Sequence, residues 1–158
     1  MQSVHLNEPG EDLRSIPISN SAPRCLQARF YRTVDGTEPV NDFIESLTVE
    51  EQVVLDHQID LLNRLDETHP HLAFPHSSQI SGELRELRCH YGSKQYRILY
   101  RRSHLFLILL HAFRKTTPKI PPAEIQIAKV RFDDFKNRMD SLARKPPSAT
   151  GRRAPPNR

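Results

Sequence analysis

A two-residue turn constrains this chain more than any other stretch. Leu84–Tyr91 and residues 94–101 each alternate apolar and polar side chains, and Gly92-Ser93 between them suits a type II′ hairpin with glycine first. Such a loop pairs Tyr91 with Lys94. Stepping outward pairs His90 with Gln95, Cys89 with Tyr96, Arg88 with Arg97 and Leu87 with Ile98. Side chains alternate across a sheet, so Leu87, Cys89, Tyr91, Tyr96 and Ile98 share one face, the core face. The opposite face takes Glu86, Arg88, His90, Gln95, Arg97 and Arg101. Two arginines directly opposed destabilise a hairpin by about 0.2–1 kcal/mol unless an anion joins them. Local misfits of this kind are where function is expected.

A second turn near residues 102–104 leads into residues 105–113, a run apolar on both faces as a central strand is. If that turn also has two residues and pairs Arg102 with Leu105, Leu110 opposes Arg97. Arg114 then emerges on the Arg97 face beside Lys115, while a slip of register puts Lys115 or Phe113 there. Around this meander, residues 26–33 read as a first strand. Val40, Phe43, Ile44 and Leu47 recur at helical spacing after Pro39. Thr48 with Glu51 matches a capping box, opening a second helix to about Leu65. Residues 69–82, broken by Pro70 and Pro75, read as a loop. Pro122 opens a last helix whose apolar face is Ile125, Ala128, Phe132, Phe135 and Met139. The expected fold class is α+β: an N-terminal strand, two helices, a three-stranded antiparallel meander and a C-terminal helix.

Charge divides along the chain. Ten acids face one base between Asp35 and Glu67, whereas thirteen bases face four acids between Arg85 and Arg138. A basic half that reads as strands is a candidate polyanion surface; scattered solvated cations, or arginines paired with the acidic helices, are the plainer alternatives. Residues 1–24 and 141–158 carry no periodic pattern, and the latter hold five bases and no acids. Both are expected to be disordered, leaving a domain over residues 25–140. Residues 142–158 are expected either to be inert or, while dispensable for activity, to add salt-sensitive affinity for a polyanion such as ribosomes or RNA. Two cysteines are too few for a disulfide framework, and Cys89 reads as a small buried residue. His69, His71 and His76 have no partner cysteine, so no metal or other cofactor is expected. With no signal peptide and no apolar run long enough to span a bilayer, the chain is expected in the cytoplasm, away from membranes.

Certain segments resemble the RelE/ParE toxin superfamily. They are Gly82-Glu-Leu-Arg-Glu-Leu-Arg88, Tyr96-Arg-Ile-Leu-Tyr100, and Leu109-Leu-His-Ala-Phe-Arg-Lys115 followed by prolines and a final helix. With Arg29-Phe-Tyr-Arg32, Asp35-Gly36 and Pro39-Val40, they are most similar to its phage-derived, HigB-like branch over residues 28–137. The resemblance implies a type II toxin that cuts mRNA on the ribosome, with the ribosome, mRNA and a helix-turn-helix antitoxin as partners. A ParE-like gyrase inhibitor, or a non-catalytic RNA-binding module, is the alternative. Carried over, Arg97 holds the scissile phosphate, Arg88 takes a basic position on the preceding strand, and Arg114 and Lys115 match a basic pair. Glu86 stands where RelE has lysine, and no tyrosine follows in the last helix. His90 is the preferred acid/base group because imidazole titrates near neutrality, although an exposed histidine beside a turn reads equally simply. His111 could replace a lost acid/base group but reads more simply as a core or helix-contact histidine on the face opposite Arg97, and Glu86 could be a general base but reads first as an ion-pair partner of Arg88. Arg85, Lys94, Arg101 and Lys119 are the candidate RNA contacts. Removing Arg97 is expected to relieve its repulsion from Arg88, so that stability holds or rises slightly.

Overall fold

In a computed structural model, which describes residues 21–144, the elements run β1 (Gln27–Phe30), α1 (Pro39–Glu45), α2 (Val49–Leu62), β2 (Ser77–Ser81), β3 (Leu84–Tyr91), β4 (Lys94–Ser103), β5 (Phe106–Lys115) and α3 (Pro122–Arg144). The Gly92-Ser93 turn forms as its residues dictate. Gly92 lies at φ 57° while Ser93 stays outside the positive-φ region, the type II′ pattern. All five β3–β4 pairs specified by the turn are present, Arg88 opposite Arg97 among them.

The next turn departs from expectation. It comes one position later, with Ser103 pairing Phe106 around His104-Leu105. A bulge between the Tyr100–Leu109 and Leu99–His111 pairs then shifts the register once more. Phe113, not Leu110, therefore opposes Arg97, and Lys115 shares that face opposite Gln95. Arg114 falls opposite Tyr96, on the other face. A strand apolar on both sides gives little penalty to a slip, so the hydrophobic pattern could not specify this register.

One sheet collects every strand in the order β1-β5-β4-β3-β2. β1 runs parallel to β5, which makes β5 internal and explains its two apolar faces. β2 lies within the segment read as a loop. Its sequence, Ser-Ser-Gln-Ile-Ser, has little strand propensity, and it forms by adding to the free edge of β3 through pairs such as Ser77–Leu87. Short polar strands are a common way to end a sheet.

Helices cover both faces. Val40 and Ile44 of α1 and Leu55, Ile59 and Leu62 of α2 pack on Leu87, Cys89, Tyr96, Ile98 and Leu109, the face expected to be core. A second cluster lies on the other side, the face that carries Glu86, Arg88 and Arg97. There Ala128 and Phe132 of α3 meet Leu84, Leu99, Ile108, Leu110 and Phe113. The face carrying Arg88 and Arg97 is thus half covered by α3.

Thr48 caps α2 by accepting from the Glu51 backbone N–H at 3.3 Å. The reciprocal half of the capping box is replaced. The buried Glu51 carboxylate accepts from the Tyr96 hydroxyl and from Lys94 Nζ at 3.1 Å, tying α2 to β4. At the ends, Arg24 binds Glu67 through its backbone and side chain at 2.9–3.0 Å. α3 continues to Arg144, four residues past the expected domain edge. The rest of both expected disordered segments lies outside the described residues.

Candidate functional site

The opposed arginines are reconciled by Glu86, two residues before Arg88 on the same face of β3. Its carboxylate lies 3.6 Å from Arg88 Nη1 and 3.2 Å from Arg97 Nε. The latter is an ion-pair contact whose N–H direction falls short of a hydrogen bond. Ser78 of β2 donates to the same carboxylate at 2.7 Å. Arg97 is 2% exposed. Its Nη1 donates to the Tyr96 carbonyl at 3.0 Å, and its Nη2 to Gln95 Oε1 at 3.2 Å. Burial pulls its pKa below the ordinary arginine value, opposed by Glu86 and assisted by Arg88. Arg97 is therefore a deep cation held by protein groups. Arg88 remains half-exposed, with its guanidinium 5.0 Å from the Phe74 ring centre.

A cleft of about 460 Å³ opens over this pair, between α2, the segment before β2 and the hairpin end of β3–β4. Arg88, His90 and Arg97 line it, as do His57 and Gln58 of α2 and His76. No carboxylate is among its lining residues, since Glu86 sits behind the arginines. Gln58 Nε2 donates to the Arg88 carbonyl at 2.8 Å, an acceptor only, which fixes the amide orientation. The same nitrogen lies 3.3 Å from His76 Nδ1, so Nδ1 is the acceptor and a neutral His76 carries its proton on Nε2. Cys89 lies in the floor, where burial pushes its thiol up to about 12 despite Arg97. It is protonated at neutral pH and unsuited to nucleophilic attack. Among the described residues no group of three His, Cys, Asp or Glu side chains is placed to hold a metal ion.

The remaining expected site residues scatter. Lys115 is half-buried on the Arg97 face, and Arg114 is exposed on the opposite one. Lys94 is engaged by Glu51. Arg101 pairs with Glu83 at 2.9 Å and lies 4.2 Å from the Phe132 ring centre, so it helps seat α3. Lys119 is exposed in the proline linker. Arg85 opens into a different cavity. His111 is a helix-contact residue, but the shifted register puts it opposite Leu99 on the Arg97 face rather than on the other one. It bonds Glu124 through Nε2, receives Arg131 Nη1 on Nδ1 at 3.2 Å, and stacks on Phe113. His57 and Gln58 were missed, and His76 was weighed only as a metal ligand. Their proximity to β3 depends on how α2 and the pre-β2 segment pack, for which the sequence carries no local signal.

The architecture is α+β and consistent with the RelE-like fold. A family model for phage-derived Gp49-like proteins (DUF891) matches residues 42–133, from within α1 to within α3, and so includes every residue of the cleft. The chain belongs to this family. No curated protein matches the sequence.

Among the described residues no helix is long and apolar enough to cross a membrane.

Proposed function

We propose that this protein is the toxin of a type II toxin-antitoxin system of the HigB-like branch, a metal-independent endoribonuclease that cuts mRNA on the ribosome in the cytoplasm. The observation that carries the reading is the cleft, in which three imidazoles and an accessible arginine share a carboxylate-free surface. RNA cleavage requires a base for the 2′-OH proton, an acid for the departing 5′-oxygen and cations around the phosphorane-like state. Two of His57, His76 and His90 supply the proton transfers. One takes the 2′-OH proton as the 2′-oxygen bonds to phosphorus, and the other protonates the 5′-oxygen as its bond breaks. The products are a 2′,3′-cyclic phosphate and a 5′-hydroxyl end. Arg88 receives the phosphate oxygens, while Arg97 acts from beneath as a fixed positive charge. The Arg88–Glu86–Arg97 group supports this division, because Arg97 is buried, its Nη1 and Nη2 each donate to a protein acceptor and its Nε faces Glu86. A small helix-turn-helix antitoxin is the expected partner.

Inducing the protein without its antitoxin should arrest translation, and sequencing of RNA 5′ ends should place cuts within ribosome-bound codons. Intact mRNA accompanied by gyrase-linked DNA breaks would overturn the ribonuclease reading in favour of a ParE-like one. Intact mRNA and intact DNA would overturn it in favour of a non-catalytic RNA-binding module.

A further inference from the structure

A second cavity, also about 460 Å³, lies toward the other end of the β3–β4 ladder and shares no residue with the cleft. Arg85 opposes Tyr100 across the ladder, and Arg102 follows two residues after Tyr100, so both arginines project on the Tyr100 side of the sheet. Each is anchored through Nε alone: Arg85 donates to Ser77 Oγ at 3.3 Å, and Arg102 to the His104 carbonyl at 2.7 Å. Their terminal nitrogens have no protein partner among the described residues. His71 completes the wall. Its pKa is lowered, first by burial and then by Arg85 and Arg102, which marks both cations as close to it. Two carboxylates lie near: Glu83 lines the cavity, and Glu67 is close enough for Arg102 to help lower its pKa, yet each has another arginine as its paired cation. Glu83, at the rim, pairs with Arg101 at 2.9 Å, and Glu67 is held by Arg24 at 2.9 Å.

We propose that Arg85 and Arg102 bind the phosphate monoester end of a nucleotide or of an RNA strand. A monoester carries a charge of about −1.5 to −2 at neutral pH, which matches two fixed cations better than the single charge of a backbone diester. Guanidinium forks anchored at Nε present their remaining donors in the paired geometry that phosphate oxygens accept. The cavity volume lies in the range that holds small ligands. The site stands independently of the ribonuclease reading, since it uses none of the cleft residues.

Calorimetric titration of the full chain tests it, with inorganic phosphate, adenosine 5′-monophosphate and a 2′-O-methyl RNA hexamer with and without a 5′-phosphate. The methylated sugar blocks cleavage, so the outcome does not depend on catalysis. Phosphate and the mononucleotide should compete for one site. The Arg85→Gln/Arg102→Gln variant should bind about 100-fold more weakly, at roughly tenfold per lost charge-assisted contact. A hexamer that binds more tightly with its 5′-phosphate identifies an RNA end as the source. Mononucleotide binding without that preference identifies a free nucleotide. If the double variant misfolds, Arg102→Gln alone carries the comparison, with a tenfold loss expected. Absence of binding by every probe, or equal affinities in wild type and variants, overturns the proposal.

Discussion

Replacing Glu86 by glutamine should unfold this protein far more readily than its place on a sequence-defined polar face suggests. The carboxylate is 9% exposed and joins two arginines, one of them 3% exposed at the side chain. Breaking a buried ion pair by removing one partner costs about 3–5 kcal/mol, because the other charge stays buried without compensation. Glutamine keeps the volume and can still accept from Ser78, so the low end applies. Direct opposition of Arg88 and Arg97 adds about 0.2–1 kcal/mol once no anion lies between them. At about 4 °C per kcal/mol for a domain of this size, the melting temperature should fall by about 13–16 °C. Urea denaturation followed by circular dichroism measures the loss directly. Arg97→Ala should also melt early, since it leaves Glu86 underpaired, contrary to what the hairpin alone implies. The double variant Glu86→Gln/Arg97→Met should recover stability relative to the sum of the single changes, with a coupling of at least about 2 kcal/mol. Additive single changes, or a Glu86→Gln variant within about 1 kcal/mol of wild type, would refute the reasoning.

Two further outcomes follow from the site and its frame. Single replacement of His57, His76 and His90 by glutamine should lower RNA cleavage by about 10²–10⁴ at the two positions that transfer protons. Retained cleavage in all three variants would eliminate imidazole acid–base chemistry. Glu51 has a pKa lowered by the Tyr96 hydroxyl first and Lys94 second. Its contribution to stability is therefore present above the ordinary glutamate pKa and lost as pH falls through the depressed folded value. Tyr96→Phe should flatten the acid limb of a stability–pH curve, and an unchanged limb would show that Glu51 is not the group responsible.

The sequence alone determined the β3–β4 hairpin, because a two-residue turn and strict alternation leave a single register compatible with burying Leu87, Cys89, Tyr96 and Ile98. It likewise located α1, α2 and α3 through apolar spacing and caps, and it marked Arg88 opposite Arg97 as a place needing an anion. It could not decide what supplied that anion. Glu86 lay two residues away on the same face, yet reading it as the partner of Arg88 left open that it also reaches Arg97. That depends on β2 adding to the edge of β3, which brings Ser78 onto the same carboxylate and buries it. The register of β5 was undetermined because both its faces are apolar, so a bulge cost nothing that the pattern could register. β2 was invisible for the opposite reason: its backbone is extended by pairing with β3, and its polar side chains carry no signal of their own. The cleft combines α2, the segment before β2 and two strands. His57 and His76 are 19 residues apart in the chain, and only the packing of a helix against a sheet edge brings them to one surface.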